Sequence, residues 1–341
     1  MLCVKKAISS ILIVGLLFGI AGFQPTETVY AADSKYGYHG KLHVEGSKIK
    51  DENGDTVMLR GMSSHGLSWY PEYVNKANMK QMKTKWGCNV FRLAMYTAEY
   101  KGYCVGGAAN RRKLEALIDQ AVKDAEALDM YIIIDWHILS DNNPHKYRTK
   151  SKTFFTKMAK KYKDKEHVIY EICNEPNGST TWSQIKSYAN TIIPAIRQYD
   201  QDAIIIVGTP TWSQDVDQAL KSPIKKQKNI MYAFHFYAGT HKLDYRKKLK
   251  AAVEGGLPVF VSEFGICDAS GTGAINKTQA NYWLALMKKY DISYCMWNFS
   301  NKNETSAIIK SSVTRTSGFS NTHLTASGKW FVSKNPFKAN S

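Results

Sequence analysis

Two glutamates close apolar runs of this chain: Glu175 in VIYEICNEPNGS and Glu263 in LPVFVSEF. Val168, Ile169, Tyr170 and Ile172 are the β-branched and aromatic residues of a buried strand. Asn174, Glu175, Pro176, Asn177 and Gly178 then crowd polar groups and turn formers against its end. A single glutamate in such a place is ordinarily a helix cap or a surface acid. A pair has a chemical use. One carboxyl kept neutral can protonate a leaving oxygen, while a second, ionised one attacks the anomeric carbon or activates water, which is what cleavage of a glycosidic acetal requires.

Such a pair works only if the chain brings it together, so the elements around it decide the matter. Eight short apolar runs follow one another: VMLRGM from Val57, NVFRLAMY from Asn89, YIIIDWH from Tyr131, VIYEI from Val168, AIIIVGT from Ala203, NIMYAFHFY from Asn229, LPVFVSEF from Leu257 and ISYCMWNF from Ile292. Each is too short for a typical helix and is apolar on both faces, as strands of a covered parallel sheet are. Helical spacing fills the gaps, for example Leu114, Leu117, Ile118, Ala121 and Leu128, and the stretches SKTFFTKMAKKY, WSQIKSYANTIIPAIRQY and TQANYWLALMKKY. Strand and helix alternating eight times predict a (β/α)8 TIM barrel, a single α/β domain over residues 32–341. Before it, KLHV and KIK, with the turn DENGD, predict a small β-hairpin that plugs one end.

In a barrel of this kind chemistry sits where strands end. The eight ends carry Ser64 with His65, Arg92, Trp136 with His137, Asn174 with Glu175, Trp212, His235 with Tyr237, Glu263, and Trp297. Polar and aromatic groups of this sort are found in sugar sites, since a pyranose ring has apolar C–H faces and a polar rim. The glutamates fall on the fourth and seventh runs, on opposed sides of the expected mouth. The rest of the composition is that of a soluble protein, with 44% hydrophobic and 22% charged residues. Lys5 and Lys6, the apolar run from Ala7 to Phe23 and Val29-Tyr30-Ala31 have the layout of a secretory leader cut after Ala31, with an uncleaved anchor as the competing reading. Loss of residues 1–31 removes Lys5, Lys6 and Glu27 and lowers the net charge of +17 by one. Lysines are scattered through helices rather than gathered in one arm, which argues for a solvated basic surface and against nucleic acid as a partner. Cys88, Cys104, Cys173, Cys267 and Cys295 form no CxxC pair, so neither a zinc site nor a disulfide framework is expected, though one bridge such as Cys88 to Cys104 stays open.

The motifs SSHGLSWY at 63–70, VFRLAMY at 90–96, IIIDWHILSDNNP at 132–144, VIYEICNEPNG at 168–178, IIIVGTPTWSQDV at 204–216, MYAFHFYAGTH at 231–241, VFVSEFG at 259–265 and MWNFSNKNE at 296–304 together resemble glycoside hydrolase family 5, in particular its bacterial endo-β-1,4-glucanases. The resemblance spans roughly residues 38–335. It implies a secreted, retaining β-glucan hydrolase with Glu175 as acid/base and Glu263 as nucleophile, no cofactor or metal, a polysaccharide as its partner, no membrane attachment of the mature form, and a monomer. By the same resemblance Arg92 contacts the nucleophile, with Tyr237 able to donate to the same carboxylate. Asn174 bonds the sugar 2-hydroxyl; His65, His137 and His235 line the site. Trp297 lies beneath the sugar to be cleaved, Trp69 and Trp212 further along the cleft, Tyr96 against a sugar, and Lys302 with Glu304 at the cleft edge. Trp136 is expected in the wall instead. Phe264 stands where close relatives commonly carry Trp, Cys173 replaces a small residue, and the loop 102–112 is expected at the rim. Mannanase, xyloglucanase or mixed-linkage β-glucanase activity on the same fold, or a non-catalytic glucan-binding barrel, are the alternatives.

Overall fold

A computed structural model describes residues 34–337; the expected leader lies outside them. Three short antiparallel strands open the described chain, β1 (His43–Glu45), β2 (Lys48–Lys50) and β3 (Thr56–Val57), paired in that order. The expected hairpin is present with one strand added, because Val57 pairs with Ile49. Val57 therefore belongs to this small sheet and not to the barrel, whose first strand starts three residues later. The apolar run from Val57 is shared between two sheets, and composition alone does not show the join.

Eight parallel strands follow: β4 (Arg60–Gly66), β5 (Val90–Tyr96), β6 (Tyr131–His137), β7 (Val168–Glu171), β8 (Ile205–Val207), β9 (Ile230–Tyr237), β10 (Val259–Gly265) and β11 (Tyr294–Phe299). Each pairs with its neighbour in the sequence, and β11 pairs back on β4 to close the barrel. Helices wrap the outside, among them Lys76–Trp86, Gly107–Glu126, Arg148–Tyr162, Trp182–Arg197, Leu243–Glu254 and Lys277–Lys289. Local chemistry sets their ends. Thr181 and Gln184 form a reciprocal capping box at the start of Trp182–Arg197, and Gly87, at φ 69°, takes the left-handed position that stops Lys76–Trp86. The 102–112 stretch is a rim loop only in its first half, since from Gly107 it is already helix.

The two-residue period of a strand sorts the barrel into storeys. On β5 the inward positions run Val90, Arg92, Ala94, Tyr96; on β6 Tyr131, Ile133, Asp135, His137; on β9 Met231, Ala233, His235, Tyr237. The lowest storey is apolar and packs with Leu42, Ile49, Val57 and Leu59, so the N-terminal sheet plugs the floor. The alternate positions, such as Ile132, Ile134 and Phe234, join the larger core between barrel and helices. Charge occupies the middle storey and aromatic rings the top. The two ends of the described residues meet outside the floor, where Tyr36 and Phe337 touch edge to face with centroids 6.2 Å apart, beside Asn89 at the foot of β5.

Candidate active site

A cavity of about 600 Å³ opens at the carboxyl ends of the strands, lined by Glu175 and Glu263 with His65, Tyr96, His137, Trp212, His235, Tyr237, Trp297, Lys302 and Glu304 among others. A hollow of the same volume lies beside the small N-terminal sheet, but no glutamate or tryptophan lines it. Of the other expected residues, Trp69 stands on the rim at 44% exposure, while Arg92 and Asn174 are fully buried among the groups that support the carboxyl pair.

One atom each of Glu175, His235 and Glu263 lies within 4.8 Å of the others. Their spacing in the sequence gives no hint of such a trio. Most of its polar atoms have protein partners: His235 Nδ1 lies 2.8 Å from Glu175 Oε1, His235 Nε2 lies 2.9 Å from Ser262 Oγ, and the Tyr237 hydroxyl donates to Glu263 Oε1 at 2.8 Å. Arg92 completes the shell of Glu263, with Nη1 3.4 Å from Oε2.

Arg92 is the hub. Its Nε donates to Glu171 Oε2 at 2.7 Å, its Nη2 to Asn174 Oδ1 at 2.7 Å, and that same Nη2 lies 3.0 Å from Asp135 Oδ2. A buried guanidinium needs such partners. Burial opposes its charge, and the carboxylates of Asp135, Glu171 and Glu263 outweigh that, raising its pKa well above the ordinary value. Asp135 and Glu171 carry no role in the sequence reading. The signal for them was present, an acid inside each of two otherwise apolar strands, but their partner sits on a third. Ser262 was missed for another reason. Consecutive strand residues normally point to opposite faces, yet Ser262 and Glu263 both serve the interior. The register of β10 against β9 slips between Phe260 and Glu263, and a slip of this kind re-aims side chains.

Hydrogen-bond directions place the proton of the pair. Ser262 Oγ donates to Glu171 Oε1 at 2.6 Å, so its one hydrogen is used there. His235 Nε2 must then be the donor to Ser262. Burial lowers the pKa of His235 to about 4, so the ring is neutral and Nδ1 is left bare. The bond between Nδ1 and Glu175 Oε1 therefore needs its hydrogen from Glu175. Burial pushes the Glu175 carboxyl up to about 8, with Asp135 and Glu171 adding to the rise and Arg92 opposing it. Burial also raises Glu263, to about 7, and Glu175 adds to that, but Arg92 and the Tyr237 hydroxyl favour its ionised form. Of the two carboxyls, Glu175 is the one raised further and the one whose hydrogen bond calls for a proton.

The remaining groups shape the walls. Trp297 stacks on His137, centroids 5.2 Å apart and planes 12° from parallel, and leans on His65 at 5.2 Å. His137 packs on Tyr96 at 4.2 Å and lies 2.6 Å from Asp135 through Nδ1; its pKa is lowered by burial and then by Arg92. The Gly66 amide donates to His65 Nδ1 at 2.7 Å, which leaves Nε2 for a ligand. Lys302 Nζ meets Glu304 Oε2 at 2.7 Å, and Asn298 Nδ2 holds the other oxygen at 2.6 Å. Trp212 is presented by an unusual turn: Thr211, Trp212 and Ser213 all have φ between 53° and 56°. Left-handed backbone at three successive non-glycine residues is strained. It is held by the Trp212 amide on the Pro176 carbonyl at 3.0 Å and by Ser213 Oγ on the Asn174 carbonyl at 2.6 Å. Trp136, as expected, is buried in the wall against Tyr103, Phe154 and Phe155. Phe264 stacks on Phe236 at 5.2 Å behind the site, and the five cysteines among the described residues are all buried and free, so Cys88 and Cys104 are not bridged.

A closed parallel barrel whose mouth joins a carboxyl pair to aromatic rings is built as a glycoside hydrolase. The comparisons with known proteins agree. The profile of the cellulase family, glycosyl hydrolase family 5, matches residues 50–303, and the chain belongs to that family. It is 50% identical to endoglucanase A of Butyrivibrio fibrisolvens over 301 residues, covering 88% of this chain and 70% of that one. It is 47% identical to an endoglucanase of Clostridium saccharobutylicum over 332 residues, covering 97% and 72%. Among solved structures, the catalytic domain of Thermobifida fusca endoglucanase Cel5A in complex with cellotetraose superposes with a TM-score of 0.82 at 37% identity, covering 87% of this chain and 97% of that one.

Proposed function

We propose that this chain is a secreted endo-β-1,4-glucanase that cleaves internal bonds of cellulose and related β-glucans with retention of anomeric configuration. The observation that carries the retaining mechanism is the approach of Glu175 and Glu263, with one carboxyl oxygen of each within 4.8 Å of the other across the mouth. Retaining enzymes hold their carboxyls about 5–5.5 Å apart, whereas inverting ones leave about 6.5–9.5 Å for a water. Glu175 gives its proton to the glycosidic oxygen while Glu263 attacks the anomeric carbon, and the C–O bond to the leaving chain breaks as the glycosyl-enzyme ester forms. Glu175, now ionised, takes a proton from water, and the hydroxide oxygen displaces Glu263. Arg92 and Tyr237 stabilise the Glu263 carboxylate before attack and after release. Asn174 accepts from Arg92 on its oxygen and gives one amide hydrogen to the Ile138 carbonyl at 3.1 Å, so its second amide hydrogen, 3.4 Å from His137 Nε2, is the one that can turn to a sugar 2-hydroxyl. Trp297 supports the sugar being cleaved, and the half-exposed Trp69 and Trp212 extend an open groove, which suits cleavage within a chain. Secretion rests on the leader-like residues 1–31; no helix among the described residues is long and apolar enough to cross a membrane.

The test is proton NMR of the first products from cello-oligosaccharides, where the β-anomer should precede mutarotation. An initial α-anomer would overturn retention. Reducing-sugar release from carboxymethylcellulose, barley glucan, glucomannan and mannan sorts the substrates, and activity on mannan alone would displace cellulose.

A further inference from the structure

The rings of the site do not stop at Trp69. His65 leads from Trp297 to Trp69 at 6.3 Å, and Trp69 in turn meets Tyr100, centroids 4.9 Å apart with planes at 46°. Exposure is low at Trp297 and His65, 6% and 4%, and reaches 44% at Trp69 and 50% at Tyr100, so the line of rings runs from the buried cavity to the outer surface. An exposed tyrosine on a loop tip would ordinarily be mobile and without meaning. This one is braced. Tyr100 and Lys101 form the corner of a turn closed by the Gly102 amide on the Glu99 carbonyl at 2.8 Å. The Lys101 carbonyl accepts from Ser68 Oγ at 2.7 Å and from Asn110 Nδ2 at 2.5 Å. Ser68 precedes Trp69, so one carbonyl ties the segments that carry the two rings. Glu99 Oε1 anchors the other side of the turn on the Ser140 amide at 2.8 Å.

We propose that Tyr100 and Trp69 form a preorganised shelf that binds a further sugar of a β-1,4-glucan chain, beyond the reach of the cavity. The proposal rests on the glucanase reading and extends it to chain length. Trp212 adjoins Pro176, next to the acid that protonates the leaving group, so it stands on the leaving side. Trp69 and Tyr100 lie at the other end of the ring path, on the side retained in the glycosyl-enzyme. Stacking there favours long substrates over short ones, and its rigid placement lowers the ordering cost of binding.

The ratio of kcat/KM for cellohexaose to that for cellotetraose, measured with the full chain, tests this. Tyr100→Ala should lower the ratio about two- to tenfold, the size of one aromatic stacking contact. Tyr100→Phe should keep it. Calorimetric binding of cellohexaose to the Glu263→Gln protein should weaken by the same factor on adding Tyr100→Ala. An unchanged ratio in Tyr100→Ala, or an equal loss in Tyr100→Phe, would overturn the shelf. Failure of the unsubstituted protein to cleave either oligosaccharide would instead overturn the glucanase reading, and that shows before any variant is made.

Discussion

His235 Nδ1 lies 2.8 Å from Glu175 Oε1, and it is the acceptor in that bond. The direction follows from the far side of the ring, where Ser262 has already given its hydrogen to Glu171. A serine in the middle of β10 thereby influences whether an acid on another strand keeps its proton.

Ser262→Ala should expose this dependence. Without Ser262 the imidazole is free to carry its hydrogen on Nδ1 and donate to an ionised Glu175, which favours the charged form and lowers its pKa. The alkaline limb of the kcat/KM profile should move to lower pH, with activity at pH 7 falling about tenfold, within the range of acid–base contributions. A limb that stays in place would show that Ser262 only packs.

The carboxyl pair itself makes a sharper prediction. Glu175→Gln and Glu263→Gln should each reduce kcat by about a thousandfold or more, since in the proposed mechanism each removes a group that acts on the reacting bond. Circular dichroism and oligosaccharide binding should be retained. Near-normal turnover in either variant would remove that residue from the mechanism.

Burial of Glu175 also costs stability, with a definite sign. Its pKa rises from the ordinary 4.5 to about 8 on folding, so the folded protein holds a proton that the unfolded chain has released. Stability from this group is present in full below pH 4.5 and is lost as pH climbs through the window up to 8. Glutamine stays neutral throughout. The Glu175→Gln protein should therefore gain in melting temperature relative to the unsubstituted protein as pH rises from 5 to 8. A difference that is flat across that window would contradict the shifted pKa.

Arg92→Lys should be far from conservative. A single ammonium cannot serve Glu171, Asp135, Asn174 and Glu263 at once, and buried carboxylates left unpaired are expensive. Urea unfolding should show a loss of about 3 kcal/mol, with kcat/KM down about a hundredfold. A stability change under about 0.5 kcal/mol would mean that the hub relaxes around lysine without cost.

Much of this was legible in the chain because both faces of each barrel strand are buried, so apolar runs stand out and their ends mark the mouth. Glu175, Glu263, His235 and Trp297 fall at those ends and could be found there. Asp135, Glu171 and Ser262 lie one storey lower, inside the runs, where a reader takes them as interruptions. Their roles depend on which strands stand across the barrel interior, and on a register slip in β10 that local pattern does not record. The join at Val57 is hidden likewise, since the plug and the first barrel strand share one apolar stretch.

The meeting of Tyr36 with Phe337 outside the floor has a practical side. Anything attached through either end of the described chain, whether a fused module or a solid support, emerges beneath the barrel. The cleft opens at the opposite end of the barrel, so a bulky polymer would reach the carboxyls without passing the point of attachment.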